Sequence, residues 1–156
     1  MITNLYIDSI LYNLIPNVYM GCWSCDNIPV KKCVKNGNFC VIVNLSPAGT
    51  QGSHFISISK LKNKVIVFDP LYHHLSWLPL PIKKFINKIS NMLVWTPYKQ
   101  PIQCASTSTY CGFFTMAEVL QTFVKTSGLK SYKKRRLKLN DGICIKNIAQ
   151  IISSMK

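Results

Sequence analysis

Acidic side chains are nearly missing from this sequence. Asp8, Asp26, Asp69, Glu118 and Asp141 are its only carboxylate side chains in 156 residues. Any mechanism that needs a carboxylate must choose among these five. Long apolar runs are missing too. No window approaches the ~18 uncharged apolar residues that span a bilayer, which argues against an integral membrane protein and a membrane partner. The first residues lack a basic cluster and include Asp8, so they do not read as a secretory signal. Internal repeats and low-complexity linkers are likewise absent, and a single domain over 1–156 is the simplest organisation. Hydrophobic residues make up 48% and charged residues 15%, enough apolar surface to bury a core.

The scarcity of acid leaves a strong positive balance. Nineteen Lys and Arg against five Asp and Glu give a formal net charge of +14. A small folded domain this basic is expected to meet a polyanion, nucleic acid or an anionic surface. A solvated, lysine-rich exterior is the plainer alternative.

Cysteine is present in an odd number: Cys22, Cys25, Cys33, Cys40, Cys104, Cys111 and Cys144. At least one is therefore unpaired within a monomer, and free thiols in a reducing compartment are expected. The cluster Cys22, Cys25, Cys33 and Cys40 has zinc-like density, but its second pair is spaced by seven positions and Cys40 lies in an apolar run. No metal is expected there. Nor is one expected at His73-His74, since adjacent side chains diverge in regular structure. Those two read as a solvated turn.

Periodicity outlines the elements. Residues 2–15 suit a short helix ended by Pro16, and residues 17–37 read as irregular because Gly21, Pro29 and Gly37 punctuate them. Residues 39–45 form the apolar run of a buried strand. Residues 46–52 are loop. Residues 53–59 alternate polar and apolar, and Val65–Phe68 is β-branched and aromatic, so a hairpin is expected around a turn at 61–64. Ile82, Phe85, Ile86, Ile89, Met92 and Leu93 have helical spacing over 81–94, with a short strand near Val94 as the rival for its end. Helices are expected over 111–124 and 143–152, and Lys130–Lys138 is a basic segment. The fold class is α+β, a central mixed or antiparallel sheet flanked by helices.

Three residues stand at element ends that can converge. His54 opens one strand of the hairpin, and Asp69 closes the other. In an antiparallel pair these ends share one edge, so an imidazole and a carboxylate can meet. Cys111 opens a helix, where unpaired amides and the helix dipole favour a thiolate, the nucleophilic form. A His beside it would share the thiol proton, the Asp would fix the imidazole tautomer, and nearby amides would face an acyl oxyanion. Singly, each residue has an ordinary structural explanation: a core thiol, a satisfied strand His, a turn Asp.

The stretch Cys40-Val41-Ile42-Val43-Asn44, then Gly49 to Gly52, Ser53-His54-Phe55, Val67-Phe68-Asp69-Pro70 and Cys111-Gly112-Phe113-Phe114 resembles the adenain family of viral cysteine proteases. The SUMO-deconjugating proteases share this order of residues and the Cys-Gly helix start. The likeness covers roughly residues 16–125. It implies a papain-like-superfamily fold with the nucleophile at a helix N-terminus, although papain itself places Cys first in the chain. Carried over residue by residue, His54 is the general base, Asp69 its orienting acid and Cys111 the nucleophile. Asp69 stands where adenain commonly has Glu; SUMO-type relatives use Asp. The family's oxyanion-hole Gln lies seven residues before the Cys. Here that position is Cys104, and Gln103, eight before, is assigned the role with the loop one residue longer.

The resemblance also bears on partners. Adenain-type proteases use DNA as a cofactor, which suits a charge of +14. Lys130, Lys133, Lys134, Arg135, Arg136 and Lys138 are the leading phosphate contacts, with a nuclear import signal as a rival or companion role. The family is also stimulated by a viral peptide tethered through a Cys between the acid and the Gln. This chain has no cysteine between Asp69 and Gln103, so no disulfide tether is expected. No metal or small-molecule cofactor is implied. The implied function is a viral cysteine endopeptidase that processes virion precursor polypeptides at Gly-containing sites, in the virion and the host nucleus. The alternatives are a protease that deconjugates a ubiquitin-like modifier, and a non-catalytic DNA-binding virion protein.

Overall fold

The computed structural model describes residues 2–90, 94–95, 101–103, 110–124 and 141–154. Cys104 and the basic stretch Lys130–Lys138 lie outside the described residues.

Five strands form one sheet in the order β1-β2-β3-β4-β5: β1 Tyr19–Ser24, β2 Phe39–Asn44, β3 Phe55–Leu61, β4 Lys64–Phe68 and β5 Val94–Trp95. The β2–β3 and β3–β4 pairs are antiparallel, whereas β1 joins β2 and β5 joins β4 in parallel. The helices are α1 Asn4–Leu14, α2 Val30–Lys35, α3 Leu80–Ile89, α4 Cys111–Phe123 and α5 Asp141–Ser154. The α+β class, with a mixed sheet flanked by helices and Cys111 at a helix start, is the one expected. No described helix is long and apolar enough to cross a membrane.

The central strand explains the layering. Every residue of β2 is buried. Because side chains alternate along a strand, its two faces feed two separate cores. Cys40 and Ile42 join the core with α1, α4 and α5, which holds Ile7, Leu11, Phe114 and Ile148. Phe39, Val41 and Val43 join the core with α2 and α3, which holds Cys33, Ile82, Phe85 and Ile86. The alternation in β3 is asymmetric. Ile56 and Ile58 fill the α2/α3 side. Ser57 and Ser59, both buried, face the other side. Their small side chains leave room for α4, which packs on β3. That packing brings the start of α4 towards the start of β3.

The hairpin, β2, α1 and α4 follow the sequence pattern. Residues 17–37 do not, since they hold β1 and α2 rather than irregular chain. Gly21 adopts a positive φ of 104° and the β1–β2 register shifts between Tyr19 and Cys22, so the strand lacks regular alternation. Asp8 on α1 ties it down by accepting from the Tyr19 hydroxyl at 2.7 Å and the Cys22 amide at 2.9 Å. Helix α3 stops at Ile89, earlier than expected, with Ser90 extended after it, and the strand expected as the rival forms at Val94–Trp95.

Candidate active site

Strand pairing carries His54 and Asp69 to one edge of the sheet. His54 immediately precedes β3, and its carbonyl still accepts from Leu45 N–H at 2.9 Å, which extends the ladder beyond β2. Asp69 immediately follows β4, and Phe68 is registered against Ser57. The two side chains meet there, with His54 Nε2 2.6 Å from Asp69 Oδ1. Both are shielded, at 8% and 6% side-chain exposure.

The carboxylate is held in a fixed orientation. Leu71 N–H donates to Oδ1 at 2.8 Å. His73 donates to Oδ2 through its ring Nδ1 at 2.8 Å and its backbone N–H at 3.3 Å. Burial raises the pKa of Asp69, but hydrogen bonds and charge from His54, with the Leu71 amide and His73, outweigh it and hold the carboxyl below its usual range. Burial pulls the His54 pKa down. Asp69, and then the Cys111 thiol, more than reverse this and lift it to about 9. An ionised carboxylate only accepts, so His54 carries a proton on Nε2. When His54 is neutral, Nδ1 therefore holds the lone pair. Nδ1 is buried, and among the described residues no partner meets hydrogen-bond geometry at it. Cys111 is near enough to the imidazole to raise its pKa beside Asp69.

Cys111 is the first residue of α4 and is buried. Its Sγ accepts from Phe55 N–H at 3.4 Å, so the amide next to His54 in the chain touches the thiol. Gly112 permits this seating. A Cβ there would stand 2.5 Å from Ile2 Cγ2 and 3.3 Å from Ile7 Cδ1, against the α1 segment. Cys111 opens into a cleft of about 480 Å³ whose walls are the N-terminal residues Ile2–Asn4 and the loop after β2. Pro47, Thr50, Gln51, Gly52 and Ser53 supply the loop wall, and Ser24, Asn44, Ser46 and Phe55 complete the lining. Among the described residues no charged side chain lines it, in a chain of net charge +14.

The loop wall is pinned from below. Asn44 Oδ1 accepts from Ser46 N–H at 3.0 Å and Ser53 N–H at 3.2 Å. The Ser46 and Ser53 hydroxyls lie 2.8 Å apart. Gly52 passes so close that a Cβ would collide with Asn44 Nδ2.

Gln103 is buried, and its backbone N–H donates to Pro70 O at 2.9 Å, as does that of Ile102. The residue is thus anchored to the turn that follows Asp69. Cys104, which stands at the family's Gln position if the register is strict and would then leave no side-chain donor, lies outside the described residues, as do Lys130, Lys133, Lys134, Arg135, Arg136 and Lys138.

The remaining described cysteines are free thiols split between the two cores, with Cys22 and Cys40 on one side and Cys25 and Cys33 on the other. Burial pushes all four thiols up, Cys33 to about 11. Among the described residues the set with metal-ligand spacing is His54, Asp69 and His73, whose donor atoms lie within 4.8 Å of one another. Each carboxylate oxygen in that set already accepts from an imidazole. The sequence pattern does not single out His73 for this contact, since the His pair reads as a solvated turn. Its i, i+4 spacing from Asp69 across Pro70 is the available signal.

Comparison with known proteins agrees with the fold. No protein-family model and no curated protein sequence matches the chain. Among solved structures, the central domain of the uncharacterized Lpg1148 protein from Legionella pneumophila has the same fold, with a TM-score of 0.59 at 15% identity over 95% of this chain and 96% of that one. A de-sumoylating protease is more distant, with a TM-score of 0.41 at 18% identity over 96% of this chain and 70% of that one.

Proposed function

We propose that this chain is a cysteine endopeptidase of the adenain type, with Cys111 as nucleophile, His54 as general base and Asp69 as orienting acid. One observation carries the reading. A buried imidazole fixed on a buried carboxylate at 2.6 Å sits beside a helix-start cysteine whose Sγ accepts from the amide of Phe55, the residue that follows the histidine. In the reaction, His54 Nδ1 takes the proton of the Cys111 thiol, and the Phe55 amide stabilises the charge left on sulfur. Sulfur attacks the peptide carbonyl. The C–N bond breaks as the imidazolium returns its proton to the leaving amine, leaving a thioester. Water, deprotonated by His54, then releases the acid and the thiol. Amides in the first turn of α4, with the Gln103 side chain, serve the oxyanion.

A cleft with no charged side chain among its described lining residues suits a small, neutral peptide segment, in keeping with Gly-containing sites in virion precursor polypeptides. DNA, bound by Lys130, Lys133, Lys134, Arg135, Arg136 and Lys138, is the proposed activator, and the virion and host nucleus the proposed setting. A deconjugating protease for a ubiquitin-like modifier would share the chemistry and is favoured by Asp in place of Glu at position 69. A folded modifier as an obligatory part of the substrate separates the two.

The test is labelling with a thiol-directed electrophile, mapped by mass spectrometry, on the wild type and on His54→Ala. Cys111 is expected to react far faster than the other thiols, and only with His54 present. Equal reactivity of Cys111 and the rest in folded protein supplied with DNA overturns the protease reading.

A further inference from the structure

We infer that His73 is a positioning residue of the same site, a second imidazole on the far oxygen of Asp69 that sets the angle at which His54 is presented to Cys111. The inference rests on the protease reading. Asp69 divides its oxygens between two rings. Oδ1 takes His54 at 2.6 Å and Oδ2 takes His73 at 2.8 Å. The rings stand edge to face, with centroids 5.8 Å apart and planes at 88°. With only a backbone donor on Oδ1 besides His54, the carboxylate could turn about its Cβ–Cγ bond and tilt the imidazole with it. Contacts to Oδ2 on the opposite side prevent that turn.

The backbone supports the same reading independently. Tyr72, between Leu71 and His73, has φ 57°, a left-handed conformation that disfavours any residue with a Cβ and an aromatic one especially. Tyr72 N–H donates to Asp69 O at 3.0 Å, closing a tight turn. That turn folds the His73 ring and amide back onto the carboxylate. A non-glycine residue held there, one position from a ring that grips the orienting acid, fits the pattern of strain retained where geometry matters. The His73 side chain is 44% exposed, so core packing does not account for its placement. The carboxylate only accepts, which requires Nδ1 of His73 to carry a proton. No proton moves through His73 in the reaction; it acts through Asp69.

Two substitutions test this. His73→Ala removes the ring donor. His73→Asn restores one, because the Asn Nδ2–H occupies nearly the place of the His Nδ1–H. The first readout is the low-field NMR proton shared by His54 and Asp69, observed at low temperature. The second is the alkylation rate of Cys111. In His73→Ala the resonance is expected to broaden or shift, and the rate to fall about fivefold, the scale of one charge-assisted hydrogen bond acting indirectly. In His73→Asn the resonance is expected to return, with the rate within about twofold of wild type. Thermal unfolding confirms that each variant is folded. A wild-type resonance and rate in His73→Ala, or an Asn variant no better than the Ala variant, overturns the inference. So does absence of the resonance in the wild type. Failure of the protease reading looks different, since Cys111 would then be no more reactive than the other thiols while the resonance still reports on His73.

Discussion

Phe55 N–H points at Cys111 Sγ, 3.4 Å away across 56 residues of chain. The proposed base, His54, is its immediate neighbour. One strand start therefore positions both the imidazole and an amide donor for the sulfur, and any shift of α4 along β3 disturbs both together. Ser57 and Ser59 under the helix make the close approach sterically allowed. The site is thus a property of the packing between α4 and β3 as much as of three side chains.

Asp69→Asn should separate orientation from packing. The amide keeps the shape of the carboxylate but offers only one acceptor and adds a donor. His54 then has no charge to lean on and can adopt the tautomer with its proton on Nδ1, facing the thiol. Cys111 alkylation and any peptidase turnover should fall by between roughly 10-fold and 10⁴-fold. A variant with the wild-type unfolding midpoint and wild-type alkylation rate would show that Asp69 does not orient the base.

The pH dependence of stability follows from the same pair. The His54 pKa is raised to about 9 from 6.5, so its contribution is fully present below about 6.5 and is lost as pH rises through 9. The Asp69 pKa is lowered from 3.8, so its contribution is present above that value and is lost as pH falls further. Wild type should therefore lose on the order of 1–3 kcal/mol relative to His54→Ala between pH 6.5 and pH 9. Parallel thermal unfolding curves for the two proteins, recorded across that interval, provide the check. Curves that keep a constant separation would mean that the imidazole gains nothing from Asp69.

The hairpin, β2 and the Cys111 helix were legible because each carries a clear local pattern. β2 is a short continuous apolar run, β3 alternates, and α4 is an apolar stretch too long for a strand, buried on all sides from Phe114 to Leu120. Their ends then bring His54 and Asp69 together by simple antiparallel geometry. β1 and α2 were hidden because Gly21, Pro29 and Gly37 read as punctuation. Parallel pairing to β2 and the Asp8 contacts give β1 its place, and neither is a local feature of sequence. His73 escaped notice for a similar reason. Its role depends on a positive φ at Tyr72, which nothing in an aromatic side chain advertises.

The loop wall of the cleft makes a separate claim. Asn44 Oδ1 holds both ends of the loop through Ser46 and Ser53 amides, and Gly52 leaves no room for a side chain beside it. Asn44→Ala should cost about 1–3 kcal/mol, because two amides lose their acceptor. Gly52→Ala should cost about 1–3 kcal/mol by overpacking against Asn44. Both should speed amide hydrogen exchange at Ser46 and Ser53 while leaving β3 protected. Unchanged exchange at those two amides in Asn44→Ala would show that the loop holds its shape without the side chain.

The charge balance makes the last claim. Among the described residues the cleft lining carries no charged side chain, so the proposed DNA contacts are sought in the basic stretch. Lys133, Lys134, Arg135 and Arg136 concentrate four of them in four positions. A cation that neutralises a phosphate releases counterions, so removing it lowers the slope of log affinity against log salt by about 0.9 for duplex DNA. Replacing all four with Ala should flatten the slope by up to about 3–4 and weaken binding alike for unrelated sequences. Gel shifts on two unrelated duplexes over a salt series measure this. A slope that stays at the wild-type value would assign the DNA contacts to other lysines. Equal weakening on both duplexes, with Cys111 alkylation unchanged in the absence of DNA, would place the stretch in cofactor binding and outside the chemistry of the His54–Asp69–Cys111 set.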